Sequence, residues 1–301
     1  MQSSLVSLSN ELARLVAEFQ PDVVAVHARA HYPSSGVLWR PGVIVTADHT
    51  VRQEEDIRVT LASGETVNAT LAGRDSGTDL ALLKVDGAGA PANHQEGELP
   101  KAGELALVLG RSPDSGANAS LGVVSAVSGP WRTWRGGRLD NYIRLDATFY
   151  PNSSGGAVVD SRGRLLGIAT SALSRIAGLA IPASSINRVV DAVLAKGHVP
   201  RGYLGIGAQP VAIPEALRAR LGLANQSAVM VVNVEPGGPA DQAGVLLGDV
   251  LVSLGATSLQ DIEDVQAFSD SAVIGKPVAA KLIRGGTLQE LTITVGERPG
   301  R

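Results

Sequence analysis

The apolar residues of this 301-residue chain come mostly in short runs cut by Gly, Pro, Asp and Ser, and this punctuation limits the folds open to it. Val23–Ala28, Gly36–Trp39, Val43–Thr46, Ile57–Leu61, Thr66–Gly73 and Leu80–Val85 read as strands, with Gly42, Gly64 and Gly73 at the breaks. A more exposed connection, Gly87 to Gly103, leads to a second set: Leu105–Leu109, Leu121–Val127, Asn141–Asp146, Ala157–Val159, Leu165–Ser171 and Leu179–Ile181. Two groups of about six closely spaced strands predict a mainly β architecture of two antiparallel barrels or sandwiches.

Helical periodicity flanks these sets. Leu5, Leu8, Leu12, Leu15, Val16 and Phe19 recur at spacings of three and four before Pro21. Pro182 opens a second helix, Ser184 to Lys196, with Ile186, Val189, Val190, Val193 and Leu194 on one face and Gly197 as its C-cap. The expected organisation is an N-terminal helical segment (1–20), a two-barrel domain (21–197), a linker (198–202) and a smaller α+β domain (203–301). In the last, strands are expected near Leu204–Ile206, Val229–Val234, Val250–Leu254, Val278–Ile283 and Leu288–Val295. Helices are expected near Pro214–Leu221, Pro239–Ala243 and Ile262–Ser269.

Composition removes several function classes. A net charge of −3 supplies no basic field for a nucleic-acid backbone. Without cysteine there is no disulfide framework, thiol nucleophile or thiolate metal site, and the redox compartment stays open. No cofactor or metal motif stands out, and no run reaches the roughly 18 apolar residues of a membrane span. Met1 to Phe19 lacks the basic start, apolar core and cleavage site of a secretory leader.

Three residues carry the chemistry. Asp146 to Val159 is an apolar run broken by Pro151-Asn152-Ser153-Ser154-Gly155-Gly156, a turn that can expose the Ser154 hydroxyl beside converging N–H groups. Among five histidines, His49 ends the apolar run Val43–Ala47 and so stands at a strand end, beside a core. Asp79 is the last polar residue before Leu80–Val85, where a partly buried carboxylate needs a partner such as an imidazole N–H. Asp75 is the local competitor, further into the loop. The chain order His, Asp, Ser in two strand-rich barrels is that of the chymotrypsin-type triad.

The chain resembles HtrA/DegP-type serine proteases, a chymotrypsin-like double β-barrel followed by one PDZ domain. Ile44–Val51, Thr78–Val85, Asn152–Ala157 and Gly178–Pro182 resemble that family's histidine, aspartate and serine motifs and its strand-to-helix exit. The resemblance implies Ser154 as nucleophile, His49 as general base and acid, and Asp79 orienting His49. It implies an oxyanion hole at Asn152, Ser153 and Ser154, the donors being the backbone N–H groups of Asn152 and Ser154 with Ser153 between them. The family normally has Gly at position 152 and Asn at 153. A hole-forming peptide often needs a positive φ, and Asn is the non-glycine residue that tolerates one best. The alternative is a collapsed turn reset by a ligand.

The substrate pocket is expected from Thr148 and Phe149 and from Ala169, Thr170 and Ser171, which offer no acid and so suit apolar P1 residues. Arg201–Ile206 resembles the carboxylate-binding loop of a PDZ domain, with Tyr203, Leu204, Gly205 and Ile206 receiving a peptide C-terminus. Pro236–Val245 and Leu247–Leu251 resemble the PDZ turn, short helix and following strand. The implied function is ATP-independent cleavage of unfolded or misfolded polypeptides; the rival is a silent peptide-binding scaffold or holdase. The N-terminal helix either caps the first barrel or builds an oligomer, a trimer by resemblance. The compartment is periplasmic or cell-envelope by resemblance, cytoplasmic if the chain is complete.

Overall fold

The computed structural model describes residues 4–91, 98–266, 268 and 271–298. It divides into two compact units, Met1–Val199 and Pro200–Arg301.

In the first unit, helix α1 (Ser4–Phe19) precedes seven strands: β1 (Val23–His27), β2 (Ser34–Arg40), β3 (Val43–Ala47), β4 (Arg58–Thr60), β5 (Thr66–Asn68), β6 (Thr70–Asp75) and β7 (Leu80–Lys84). They form one barrel-like sheet in the order β5-β4-β1-β2-β3-β7-β6. The single strand expected over Thr66–Gly73 is two. The chain changes partner at Ala69, from β4 before it to β7 after it, and the Ala69 N–H bonds the Ile57 carbonyl.

Next come β8 (Leu105–Ser112), β9 (Gly116–Ser128), β10 (Trp131–Arg132), β11 (Arg138–Leu139), β12 (Tyr142–Asp146), β13 (Ala157–Asp160), β14 (Leu165–Thr170) and β15 (Gly178–Pro182), then helix α2 (Ala183–Lys196). Six of these strands close a barrel, β12-β15-β14-β13-β8-β9. Strands β10 and β11 form a separate hairpin whose residues are too short and polar to announce a strand. Gly197 takes a left-handed φ of 79° and returns its N–H to the Val193 carbonyl, ending α2 as expected.

The unbroken apolar runs have a physical reason. Successive strand side chains point to opposite faces, and here both faces are buried. Val43 and Val45 of β3, with Leu80 and Leu82 of β7, join a core shared by both sheets and the helices, whereas Ile44, Ala81 and Leu83 face the interior of the first sheet. On β13, Ala157 and Val159 join the shared core and Val158 the second barrel's interior. These strands deliver the residues of the candidate site. The last turn of α1 enters the shared core through Leu15 and Phe19, while Leu5, Val6 and Leu8 stay exposed.

The second unit holds β16 (Gly202–Tyr203), β17 (Ile206–Ala212), α3 (Glu215–Leu221), β18 (Ser227–Val234), α4 (Pro239–Gln242), β19 (Val250–Leu254), β20 (Thr257–Ser258), α5 (Ile262–Gln266), β21 (Pro277–Arg284), β22 (Thr287–Thr294) and β23 (Gly296–Glu297). Its main sheet runs β17-β18-β19-β21-β22, so β17 is an edge. The strand expected over Leu204–Ile206 breaks at Gly205, whose φ of 75° leaves the extended region. Ala267 and Ser269, at the end of the expected helix Ile262–Ser269, lie outside the described residues, as does His94.

One ion pair anchors this sheet. Arg284 on β21 forks onto Asp249, 2.8 and 2.6 Å, and the Leu246 N–H adds a third bond at 2.8 Å. Burial by itself raises the Asp249 carboxyl, but the three donors and the guanidinium charge outweigh it and hold the group below its ordinary value. A depressed carboxyl contributes stability above the unfolded pKa, about 3.9, and that contribution is lost as pH falls through the folded value. Asp249→Asn is expected to lower neutral-pH stability and flatten the acid limb, read by denaturant unfolding from about pH 6 to pH 2.

Candidate active site

Antiparallel pairing of β3 with β7 aligns Ala47 with Leu80, so the turn after β3 faces the residue before β7. That turn, Asp48–Thr50, carries His49. The Asp48 N–H donates to the Asp79 carbonyl at 3.0 Å and the His49 N–H to Asp79 Oδ1 at 2.9 Å. His49 Nδ1 lies 2.8 Å from Asp79 Oδ2 and 3.1 Å from Oδ1. A carboxylate facing Nδ1 makes that nitrogen the donor and leaves Nε2 to accept a proton.

Asp79 is fully buried at a left-handed φ of 60°, a conformation Asp tolerates better than most residues. Asp75, the local competitor, turns back on its own loop, accepting from the Gly77 N–H and the Thr78 hydroxyl. On the far side of the turn, Arg74 of β6 bonds the Asp48 carboxylate at 2.5 Å and the Val51 carbonyl at 2.8 Å, bracing the segment that holds His49.

Ser154 sits in the turn before β13, and its two glycines are required by close approach. A Cβ on Gly155, φ 87°, would stand 2.0 Å from the Ser35 carbonyl oxygen, and one on Gly156 would stand 1.9 Å from the Leu109 carbonyl oxygen. Ser35 of β2 is fully buried and grips the turn twice, its hydroxyl donating to the Asn152 carbonyl at 2.6 Å and its N–H to the Ser154 carbonyl at 3.1 Å. The Ser153 carbonyl accepts from the Gly156 N–H at 3.0 Å, and the Pro151 carbonyl from Arg29 at 2.8 Å.

Of the turn's N–H groups, those of Asn152 and Ser154 find no acceptor among the described residues. Ser153, expected between those two donors, gives its own N–H to the Tyr150 carbonyl at 2.9 Å and accepts the Tyr150 N–H on its hydroxyl. Its donor is committed to closing the turn. Asn152 is not among the residues at positive φ; the described non-glycine residues there are Asp56 and Asp79. The Ser154 hydroxyl bonds Ser171 Oγ at 3.1 Å and makes no hydrogen bond to His49.

The expected pocket residues separate. Thr148 is exposed, and Phe149 lays its ring against Gly178, where a Cβ would come within 1.9 Å of it. Ala169 exchanges backbone bonds with Gly155 and Gly156, both 2.8 Å, tying β14 to the serine turn. Ser171 is exposed beside Ser154. Thr170 is no wall: it is fully buried, and its hydroxyl donates to Asp79 Oδ2 at 2.5 Å. The β10–β11 hairpin also belongs to the site without having been legible as such. Thr133 Oγ1 bonds the Gly77 carbonyl at 2.6 Å, Gly137 packs on the Gly77 backbone, and Arg135 reaches within 3.9 Å of Asp79.

In the second unit, the Leu204 and Gly205 carbonyls accept from Ala240 and Glu235, 2.9 and 2.8 Å, while their own N–H groups have no acceptor among the described residues. Ile206 then starts the edge strand β17, beside which α5 packs. Tyr203 is half-buried and pairs with Gly296 instead of joining that edge.

Comparison with known proteins identifies both domains. Residues 34–168 match the trypsin-like peptidase domain and residues 202–295 the PDZ domain. The chain is 32% identical to the serine endoprotease DegS of Escherichia coli K12, covering 88% of this chain and 77% of that protein. It is 30% identical to the chloroplastic protease Do-like 1 of Arabidopsis thaliana, covering 98% and 70%. It is also 30% identical to a probable periplasmic DegP-like serine endoprotease of Brucella suis, covering 91% of this chain but 54% of that longer protein. Among solved structures, the HtrA-type protease AlgW with a decapeptide superposes with TM-score 0.76 at 27% identity, covering 96% and 99% of the two chains. A serine endoprotease from Yersinia pestis does so with TM-score 0.75 at 28%, covering 99% and 100%.

The Thr170 bond is testable. Thr170→Val keeps the shape and removes the donor to a buried carboxylate, so turnover is expected to fall about 10- to 100-fold with KM little changed. Steady-state kinetics on a peptide substrate checks this.

Proposed function

On the premise that the chain belongs to the HtrA/DegP-type serine endoproteases, with one trypsin-like peptidase domain and one PDZ domain, we propose that it is an ATP-independent endopeptidase cleaving unfolded or misfolded polypeptides. The observation that carries this reading is the His49–Asp79 pair, a buried carboxylate bonded to a ring whose other nitrogen is left to act as a base.

In this reading Ser154 turns from Ser171 toward His49, and Nε2 takes the hydroxyl proton as Oγ attacks the scissile carbonyl. Asp79 holds the ring and stabilises the imidazolium, and His49 then protonates the leaving amine. The Asn152 and Ser154 N–H groups receive the oxyanion, each such donor being worth about 10²–10³ in turnover. Ser171, Phe149 and Thr148 border the P1 side chain, which is apolar.

The PDZ domain (203–301, after the 198–202 linker) takes a peptide C-terminus. The carboxylate lies at the Leu204 and Gly205 N–H groups, and the peptide adds as a strand along the edge of β17. The exposed Leu5, Val6 and Leu8 of the N-terminal segment (1–20) suit a homo-oligomer, a trimer, and the relatives' names suggest the cell envelope. No described helix is long and apolar enough to cross a membrane. The rival, a silent peptide-binding scaffold or holdase, draws on two observations: Ser154 is not bonded to His49, and Asn152 is not at positive φ.

A fluorophosphonate probe separates the two. Labelling of the wild type, lost in Ser154→Ala, is expected; no labelling with or without an apolar C-terminal peptide would leave the scaffold.

A further inference from the structure

The segment Tyr150–Ser153 is a four-residue turn closed by the Ser153 N–H on the Tyr150 carbonyl, with Pro151 and Asn152 at its centre. Proline's fixed φ near −65° suits two forms of such a turn. They differ by rotation of the central peptide through about 180°, and by the sign of φ at the third residue, which is positive only in type II. Asn152 has no positive φ, so the turn stands in the type I form. A left-handed residue beside a right-handed one gathers successive N–H groups into an anion-binding nest.

The peptide whose rotation separates the two forms carries the Pro151 oxygen, and that oxygen is held by Arg29 Nη2 at 2.8 Å. Arg29 is itself fixed, bonding the Tyr32 and Pro33 carbonyls of the loop between β1 and β2. Because a trans peptide is planar with N–H and C=O opposed, the Asn152 N–H cannot reverse without pulling the Pro151 oxygen off the guanidinium. The other bonds of the turn, from Ser35 to Asn152 and Ser154 and from Gly156 to Ser153, lie on different peptides and survive the rotation. Asn is the non-glycine side chain best suited to enter the left-handed region when released. The parked Ser154 hydroxyl, on Ser171 instead of His49, fits the same resting state.

We propose that Arg29 is the positioning residue that latches this turn: its bond to the Pro151 carbonyl holds the resting orientation, and breaking it lets Asn152 turn left-handed and complete the oxyanion site. The inference rests on reading Asn152 and Ser154 as the oxyanion donors.

The test compares Arg29→Met, Arg29→Lys, Asn152→Gly and the double variant Arg29→Met/Asn152→Gly in the full chain, with melting curves as the folding control. Removing a charge-assisted bond is expected to raise kcat about tenfold on a fluorogenic peptide, with KM within about twofold. Arg29→Lys retains a charged donor and stays near wild type. Asn152→Gly also raises kcat but adds little to Arg29→Met, since both act on one rotation. A crystal structure of Arg29→Met reads the peptide itself, with Asn152 at positive φ as the expected result. Unchanged or lower kcat in Arg29→Met, or Asn152 still at negative φ there, overturns the latch. If Arg29→Met does not fold, Arg29→Gln, which keeps a donor for the loop carbonyls, takes its place under the same criteria. If no variant or wild type labels with fluorophosphonate, the protease reading falls, and the φ of Asn152 in the variant crystal still decides the latch.

Discussion

A fully buried carboxylate holds the first unit's site together. In that interior donors must replace the water its oxygens have lost, because an unpaired buried charge costs several kcal/mol. Asp79 receives the His49 N–H, the His49 ring and the Thr170 hydroxyl. These donors come from the turn after β3 and from the end of β14, so one side chain ties the first sheet to the second barrel. The same bonds that satisfy the charge fix the imidazole's tautomer. Structural need and the orientation of the imidazole are met by one set of contacts.

Around this point the two-faced strands do the supporting work. Strands β3, β7 and β13 send alternate residues into different cores, so a shift of register would disturb two packing interfaces at once. That makes the strand ends rigid places from which to hang His49, Asp79 and the serine turn. The turn itself is set by crowding: the Ser35 and Leu109 carbonyls leave no room for a Cβ at Gly155 or Gly156. Its Pro151–Asn152 peptide is held by the Arg29 guanidinium and its Asn152–Ser153 peptide by the Ser35 hydroxyl.

The PDZ unit follows a related economy. Leu204 and Gly205 turn their carbonyls inward to Ala240 and Glu235, and the Gly205 N–H, on the same planar peptide as the Leu204 carbonyl, faces the other way beside the edge strand β17. Gly205 permits this by its left-handed φ, and the chain there leaves the straight strand that Leu204–Ile206 suggests.

The two sets of strands, the flanking helices, the Gly197 cap and the candidacy of His49, Asp79 and Ser154 were legible in the sequence, because each rests on local pattern: apolar runs, breakers and polar residues at strand ends. The family motifs added the pairing of a protease-like domain with a PDZ domain. What the sequence could not carry were contacts between distant segments. Thr170 reads as one more polar residue at a strand end until β14 is placed against Asp79. Ser153 reads only as the residue between two oxyanion donors until its N–H is found closing the turn on Tyr150. Arg29 and the β10–β11 hairpin have no local signature, yet each touches the site from far along the chain. Sequence alone determined which chemistry is present and on which elements, since propensity and patterning act over a few residues. Tertiary structure decided which donors are spent on holding the site and which are left for a substrate, since a buried hydrogen bond is assigned only when the whole fold says what else lies within reach.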